Sequence, residues 1–274
     1  MSTELEHRLR LGHISYSNCF PVHCRFIDQP APGDPRLIEG TPAMLNALLA
    51  GGDIDAAPCS SIEYALHADR YEIIPDLVIG ARGRVRSIIF SSRVDPSRLS
   101  GRTVALPTAS ATSVVLLKIL LRERWKVEPR FTWFDQARDT PLQDGVDAAL
   151  YIGDVALGLT PHAEGVALDL GAEWLDLTGL PFAFALWQTT SVRAHSQRLH
   201  QQLLDSRTFG LSNREKLAAR YADHFGMDAS ALHEYWGTLQ YELDKDMIEG
   251  LLTFYRMAKE AGELAEVPAL RWTG

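Results

Sequence analysis

Several features are scarce or missing in this chain of 274 residues, and each absence excludes a class of protein. The three cysteines, Cys19, Cys24 and Cys59, form neither an even disulfide framework nor a Cys-x-x-Cys pair, so we interpret them as small buried apolar residues. No apolar run approaches the roughly 18 residues that suggest a membrane span. Because the N-terminus carries acidic residues in place of the basic and apolar regions of a secretory signal, we expect a cytoplasmic protein that binds no membrane.

Basic charge and the familiar catalytic motifs are missing as well. A formal net charge of −8 argues against binding of nucleic acid, which needs clustered basic residues. The chain has no Walker A sequence, no Gly-x-Gly-x-x-Gly, no His-Glu-x-x-His and no Gly-x-Ser-x-Gly. Its nine histidines form no spaced ligand set with cysteines or carboxylates. We therefore predict neither a metal enzyme nor a nucleotide enzyme, and any catalysis would depend on positioning and hydrogen bonding.

What is present is an alternation of strands and helices in two similar units. In the first unit a strand with a period of two at residues 8–14 is followed by a helix at 43–50. The second unit begins with a strand at 104–106 and an amphipathic helix at 114–125. This order predicts two α/β lobes with mixed, mostly parallel sheets, in which ligands bind beyond the carboxyl ends of the strands.

A sequence pattern that occurs twice in the chain also favours two lobes. Residues 52–58, GDIDAAP, and residues 144–150, DGVDAAL, share an acidic turn, a β-branched residue, Asp and two alanines. A short polar turn and a helix follow each copy. From Ser191 onward the apolar residues recur at helical spacing, which predicts a helical C-terminal part that packs on the first lobe.

The turn TASATS, which contains Ser110, Ala111 and Thr112, places four hydroxyl groups where a strand leads into a long helix. Unpaired backbone N–H groups, hydroxyl donors and the positive end of the helix dipole would together bind a carboxylate there. Ordinary N-capping is the alternative, and it needs only one hydroxyl. Ser60 and Ser61 stand at the equivalent point of the first unit and leave the same two interpretations open.

Polar residues at three other strand ends are candidates for the wall of the site. Asn18, in the turn after the first strand, either closes that turn or presents its amide to a ligand. The loop RGRVRS would bring Arg86 and Ser87 to the cleft, or it lies in solvent. Gly153 and Asp154 also follow a strand, and Asp154 is either a base or the N-cap of the next helix.

Blocks of sequence between about residues 9 and 190 resemble one family in order. They are SYSN at 15–18 with Pro21, IDAAPCSSIEY at 54–64, GRVRS at 83–87, LPTASATS at 106–113, AALYIGD at 148–154 and WLDLTGLPFAFALW at 174–187. Together these blocks resemble the chorismate dehydratase family of the futalosine route to menaquinone. The resemblance implies a two-lobed fold like that of type II periplasmic binding proteins. On that fold we assign residues 1–92 and 185–274 to a discontinuous lobe I and residues 93–184 to lobe II.

The reaction that the resemblance implies is loss of water from chorismate, a small-molecule substrate, to give 3-[(1-carboxyvinyl)oxy]benzoate without a metal or organic cofactor. Asn18 and Ser87 match family positions at the substrate and would act as catalytic residues, holding its enolpyruvyl end or its leaving hydroxyl. Ser110 and Thr112 would bind one carboxylate. We hypothesise that the enolpyruvyl carboxylate of the substrate itself removes the C3 proton.

Two rival functions share the expected fold. One is 1,4-dihydroxy-6-naphthoate synthase, which a histidine in the cleft would favour; His13 and His162 are the candidates near strand ends, and we interpret both as structural. The other is a non-catalytic protein that binds small anions. Ser17 and Pro107 depart from the usual pattern of the chorismate dehydratase family, but neither change removes a proposed donor. The oligomeric state is not predicted.

Overall fold

The computed structural model describes residues 8–142, 145–159, 165–190 and 196–274. Within these residues the strands are β1 Arg10–Ile14, β2 Arg36–Gly40, β3 Ala56–Ser60, β4 Tyr71–Ala81, β5 Ile88–Ser92, β6 Thr103–Pro107, β7 Arg130–Phe134, β8 Ala148–Ile152, β9 Val166–Asp169, β10 Phe182–Thr190 and β11 Leu239–Gln240. The helices are α1 Phe20–Asp28, α2 Pro42–Gly51, α3 Ser61–Leu66, α4 Thr112–Glu123, α5 Gly153–Leu157, α6 Leu170–Thr178, α7 Ser196–Ser212, α8 Arg214–Phe225, α9 Ala229–Thr238 and α10 Lys245–Glu260.

The strands form two mixed sheets, each covered by helices. The first sheet has the order β11-β4-β10-β3-β1-β2, with β1 parallel to both β2 and β3. The second has the order β7-β6-β8-β5-β9, with β6 parallel to both β7 and β8. Antiparallel pairing enters at β10 in the first sheet and at β5 in the second. The predicted α/β class with two mixed sheets is therefore confirmed. The expectation that the sheets are mostly parallel is wrong, because five pairings of the described strands are antiparallel and four are parallel.

The chain passes from one sheet to the other twice. It leaves the first sheet after β4 and enters the second at β5, then returns after α6 and re-enters the first sheet at β10. The predicted lobe boundaries therefore need correction, because β5 before residue 92 already belongs to the second sheet and β10 from residue 182 already belongs to the first. The apolar runs of these strands gave no sign of which sheet they join. We propose the same discontinuous division with crossings at residues 82–87 and 179–181.

Small side chains allow helices to cover both faces of the first sheet. Every residue of β3, AAPCS, is buried, as expected for a strand inside such a sheet. The C-terminal helices cover this lobe: α7 packs along α1, and α10 packs on β10. A Cβ atom at Gly210 of α7 would lie only 2.0 Å from the carbonyl oxygen of Pro21, so these two helices approach backbone to backbone. The prediction of a helical C-terminal part on the first lobe is confirmed.

None of the helices in the described residues is both long enough and apolar enough to cross a membrane.

Candidate functional site

Two aromatic side chains hold the turn after β1, which contains Asn18. The indole nitrogen of Trp236 donates a hydrogen bond to the carbonyl oxygen of Ser17 at 2.7 Å, and the hydroxyl of Tyr241 donates one to the carbonyl oxygen of Asn18 at 3.0 Å. The Oδ1 atom of Asn18 is buried and has no hydrogen-bond partner in the described part of the chain. The backbone of this turn is thus fixed without the Asn18 side chain, whose oxygen is left available to a ligand.

Asp154 joins this turn to the other lobe. Its carboxylate accepts hydrogen bonds from the backbone N–H of Ser17, at 3.1 Å, and from the Ser17 hydroxyl, at 2.5 Å. Burial raises the pKa of Asp154, and the hydrogen bonds from Ser17 oppose that rise. Of the two predicted roles the N-cap is wrong, because the side chain of Asp154 reaches across to β1's turn and not to the start of α5. Its role as a base stays a prediction.

Gly153 brings α5 against the same turn. Its backbone N–H donates to the carbonyl oxygen of Ser87 at 2.8 Å, which ties the end of β8 to the loop before β5. Gly153 has a φ of 62°, in the left-handed region that favours glycine. A Cβ atom there would also lie 2.9 Å from the Cδ2 atom of Tyr16. The close approach of the two lobes at this point depends on the missing side chain.

The loop with Arg86 and Ser87 takes its shape from Asp169. The Asp169 carboxylate accepts hydrogen bonds from the backbone N–H groups of Val85, at 3.0 Å, and Arg86, at 2.6 Å, and it also caps α6. Arg86 has a φ of 65°, and its Nη1 atom lies 3.7 Å from the carboxylate of Glu234. The sequence analysis did not single out Asp169, so both its cap and its role in holding the loop were missed.

The two hydroxyl-rich turns meet each other. The Oγ1 atom of Thr112 accepts the backbone N–H of Ile62 at 3.1 Å and lies 3.3 Å from the Oγ atom of Ser61, which donates to the carbonyl oxygen of Ala183 at 2.8 Å. This chain of bonds links α4 of the second lobe to α3 of the first. The hydroxyl that we expected to bind a carboxylate is already used here, so the predicted role of Thr112 would require this contact to break.

Three neighbouring residues, Ser60, Ser110 and Ala111, make no hydrogen bond between the two turns in the described structure. The Oγ atom of Ser110 accepts the backbone N–H of Ser113 in the first turn of α4 at 3.3 Å, as the capping alternative would have it, although the N-cap residue itself is Ala111. Ala111 is exposed beside it. Ser60 precedes α3 and is 4% exposed, and its side chain makes no cap hydrogen bond. Ligand binding by Ser60, Ser110 and Ala111 stays a prediction.

Tyr235 is a buried polar residue at this site that the sequence analysis did not single out. It is fully buried in α9, next to Trp236, and its hydroxyl has no hydrogen-bond partner among the residues described. Desolvation raises its pKa, which the nearby Ser87 hydroxyl opposes and the charge of Asp154 reinforces. Its position among apolar residues at helical spacing indicates a core residue. Only the unpaired hydroxyl distinguishes Tyr235 from an ordinary residue of the hydrophobic core.

His13, Cys19 and His23 form a buried cluster behind the Asn18 turn. One ligand atom from each lies within 4.8 Å of the others, a spacing that a metal ion could use. The indole N–H of Trp187 donates to Nε2 of His23 at 3.0 Å, so the proton of a neutral His23 is on Nδ1, which lies 3.0 Å from Nδ1 of His13. Burial lowers the pKa of His13 to about 4 and raises that of Cys19 to about 12.

These contacts fit a hydrogen-bonded chain from Trp187 through His23 to His13, in which both imidazoles are neutral. The two nitrogen atoms that would bind an ion are already paired with each other. His13 is thus a structural residue, as we expected. His162, the other candidate for a histidine in the cleft, lies outside the described residues.

Solved structures with the same fold are periplasmic-binding-protein-like. A protein of Archaeoglobus fulgidus superposes with a TM-score of 0.80 at 19% identity, over 95% of this chain and 100% of its own. The periplasmic aliphatic sulphonate binding protein of Escherichia coli gives a TM-score of 0.65 at 15% identity, over 97% and 94% of the two chains. These similarities confirm the two-lobed fold.

The sequence relatives are more specific. A chorismate dehydratase of Thermus thermophilus is 32% identical over 89% of this chain and 93% of its own length, and one of Campylobacter jejuni is 32% identical over 70% and 71%. A 1,4-dihydroxy-6-naphtoate synthase of Thermus thermophilus matches less of the chain, at 29% identity over 58% and 56%. The model of a family described as menaquinone biosynthesis matches residues 9–260. The chain therefore belongs to this menaquinone biosynthesis family.

Proposed function

We propose that this protein is a cytoplasmic enzyme that removes water from chorismate and forms 3-[(1-carboxyvinyl)oxy]benzoate. The relatives that match most of the chain are named chorismate dehydratases. One observation at the site carries the proposal: the turn of Asn18 is fixed through its backbone carbonyl groups while the side-chain oxygen is buried without a partner. A fixed acceptor of this kind can orient a hydroxyl group of the substrate, and orientation is what a reaction without a protein base needs.

The proposed reaction breaks two bonds on adjacent ring carbons. The C3–H bond of chorismate is vinylogous to the ring carboxylate, so loss of this proton gives a delocalised enolate. The electron pair then forms the C3–C4 double bond while the C4–O bond breaks, and the proton and the leaving hydroxide form water. The ring becomes aromatic, which makes the elimination favourable.

The contacts of Asp154 support a substrate group as the base. The Asp154 carboxylate already accepts two hydrogen bonds from Ser17 of the other lobe, so it holds the lobes together in the described arrangement. The enolpyruvyl carboxylate of the substrate is attached at C3 and needs only to be oriented. Asn18 and Ser87 would orient it, or hold the leaving hydroxyl, and the guanidinium of Arg86 would bind a carboxylate.

The decisive experiment is incubation of the purified protein with chorismate while the ultraviolet spectrum is followed. We expect the diene absorption to be replaced by that of an aromatic ring, with 3-[(1-carboxyvinyl)oxy]benzoate as the product by mass spectrometry and no added cofactor required. Binding of chorismate without a spectral change would identify a non-catalytic receptor. Absence of both binding and turnover would refute the proposal.

Replacing Gly153 with alanine is expected to raise KM for chorismate, because the new Cβ atom displaces Tyr16 and separates the Asn18 turn from α5. The left-handed φ also costs alanine roughly 1–2 kcal/mol of stability. Gly226 has almost the same φ, 61°, with no atom within 4 Å of an added Cβ, so Gly226→Ala is the matched control. Both variants should lose stability in urea unfolding through the left-handed φ, Gly153→Ala more because of the contact with Tyr16, and only Gly153→Ala should raise KM; equal KM values would contradict the assignment.

A further inference from the structure

The hydroxyl of Tyr235 differs from those of the other fully buried tyrosines in the described residues. Tyr64 donates to the carbonyl oxygen of Ala269 at 2.9 Å, Tyr255 donates to that of Ser61 at 2.6 Å, and Tyr71 lies 3.4 Å from the carboxylate of Glu63. Tyr235 has no such partner. Since a buried hydroxyl without a hydrogen bond is destabilising, the Tyr235 hydroxyl is a candidate to bind a group from outside the chain.

The position of Tyr235 places this hydroxyl at the candidate site. Its neighbour on α9, Trp236, bonds the carbonyl oxygen of Ser17, and Ser17 bonds Asp154. The residue before Asp154 donates its N–H to the carbonyl oxygen of Ser87, and the Ser87 hydroxyl lies close enough to Tyr235 to oppose the rise that burial causes in its pKa. These contacts join the two lobes, and Tyr235 lies beside them.

Tyr235 and Asn18 offer complementary atoms. The Oδ1 atom of Asn18 can only accept a hydrogen bond, whereas the Tyr235 hydroxyl can donate one. Both atoms are buried and unpaired in the described structure. One group that satisfies both is a hydroxyl, which gives its hydrogen to Asn18 and accepts from Tyr235 through its oxygen. In chorismate the ring hydroxyl at C4 has this chemistry, and it is the leaving group.

We propose that Tyr235 donates a hydrogen bond to the leaving hydroxyl of the substrate while Asn18 Oδ1 accepts one from the same hydroxyl, an assignment that rests on the proposed function. As the C4–O bond breaks, its electron pair moves to oxygen, so the bond from Tyr235 becomes stronger in the transition state than in the bound substrate. The proton that completes the water comes from C3 through the substrate carboxylate. Tyr235 keeps its own proton throughout.

The test compares Tyr235→Phe with the wild type in three measurements. The thermal midpoint without ligand should equal or exceed that of the wild type, because the variant removes a hydroxyl that lacks a partner. The value of kcat/KM for chorismate should fall roughly 10-fold to 100-fold, mostly through kcat, as expected for loss of a hydrogen bond to a group that gains charge. Affinity for the product, which has no ring hydroxyl, should not change.

Tyr64→Phe is the matched control, because it removes a buried hydroxyl that does have partners, Ala269 and Arg271. Its thermal midpoint should fall while kcat/KM stays within about twofold of the wild type. An active wild type with an unchanged kcat in Tyr235→Phe would overturn the role of Tyr235 alone. Equal loss of product affinity and of chorismate turnover in Tyr235→Phe would also overturn it. A wild type that leaves chorismate unchanged would refute the proposed function itself.

Discussion

Replacing Asn18 with alanine is expected to lower kcat for chorismate about 100-fold, the effect of losing a group that orients the leaving hydroxyl. The variant should still fold, because the turn is held by bonds from Trp236 and Tyr241 to backbone carbonyl groups that alanine retains. The measurement is steady-state turnover followed by aromatisation, together with chorismate affinity from calorimetry. We expect affinity to fall less than kcat, because the lost contact orients the leaving hydroxyl for elimination and adds only one hydrogen bond to binding.

Asn46 provides the control for the Asn18 variant. Its Oδ1 atom is also buried without a partner in the described residues, but it lies in α2 and its amide nitrogen bonds Glu63 of α3 in the same lobe. Asn46→Ala should therefore leave kcat unchanged. An Asn18→Ala enzyme with wild-type turnover would show that the carboxamide takes no part in the reaction, whatever its position.

The sequence predicted the strand ends that meet at the site but not the bonds between them. Asn18, Ser87 and Asp154 follow strands, and the carboxyl ends of strands in two facing lobes converge. The hydrogen bond from Ser17 to Asp154 depends on how the two lobes close on each other, and no local sequence pattern predicts that closure. A hydroxyl-rich turn has the same composition whether it binds an anion or a second turn, so the contact of Thr112 with α3 could not be predicted either.

Tyr235 shows a different limit of sequence analysis. Its place in an apolar helical pattern is typical of the core, and it does lie in the core. What makes it a candidate for function is the lack of a partner for its hydroxyl, and this depends on every element packed around α9. The same limit applies to Asp169. Its cap on α6 is a local contact, but its carboxylate also holds the loop before β5, which is distant in sequence. Local sequence patterns identify helices and strands, whereas the hydrogen bonds of buried polar groups depend on contacts between segments that are distant in sequence.

The stability of the protein is expected to fall as the pH is lowered from about 6.5 toward 4, because the buried His13 must bind a proton when the chain unfolds. Burial depresses the pKa of His13 to about 4, with the charge of His224 as a smaller cause. Between these two pH values the unfolded chain binds more protons than the native chain, so the free energy of unfolding decreases as the pH falls. The shift is worth about 3 kcal/mol at pH 4, and burial of His23, whose pKa is also lowered, acts in the same direction.

Urea unfolding of His13→Gln between pH 8 and pH 4.5 isolates this term, because glutamine can still accept the hydrogen bond from His23 but does not titrate. We expect the variant to be less stable than the wild type at pH 8 and to lose less stability on acidification. Ile14→Val, at the next buried position of β1, should lower stability by about 1 kcal/mol at every pH and so give a curve parallel to that of the wild type. If the His13→Gln curve were also parallel to that of the wild type, His13 would not be a source of the acid sensitivity.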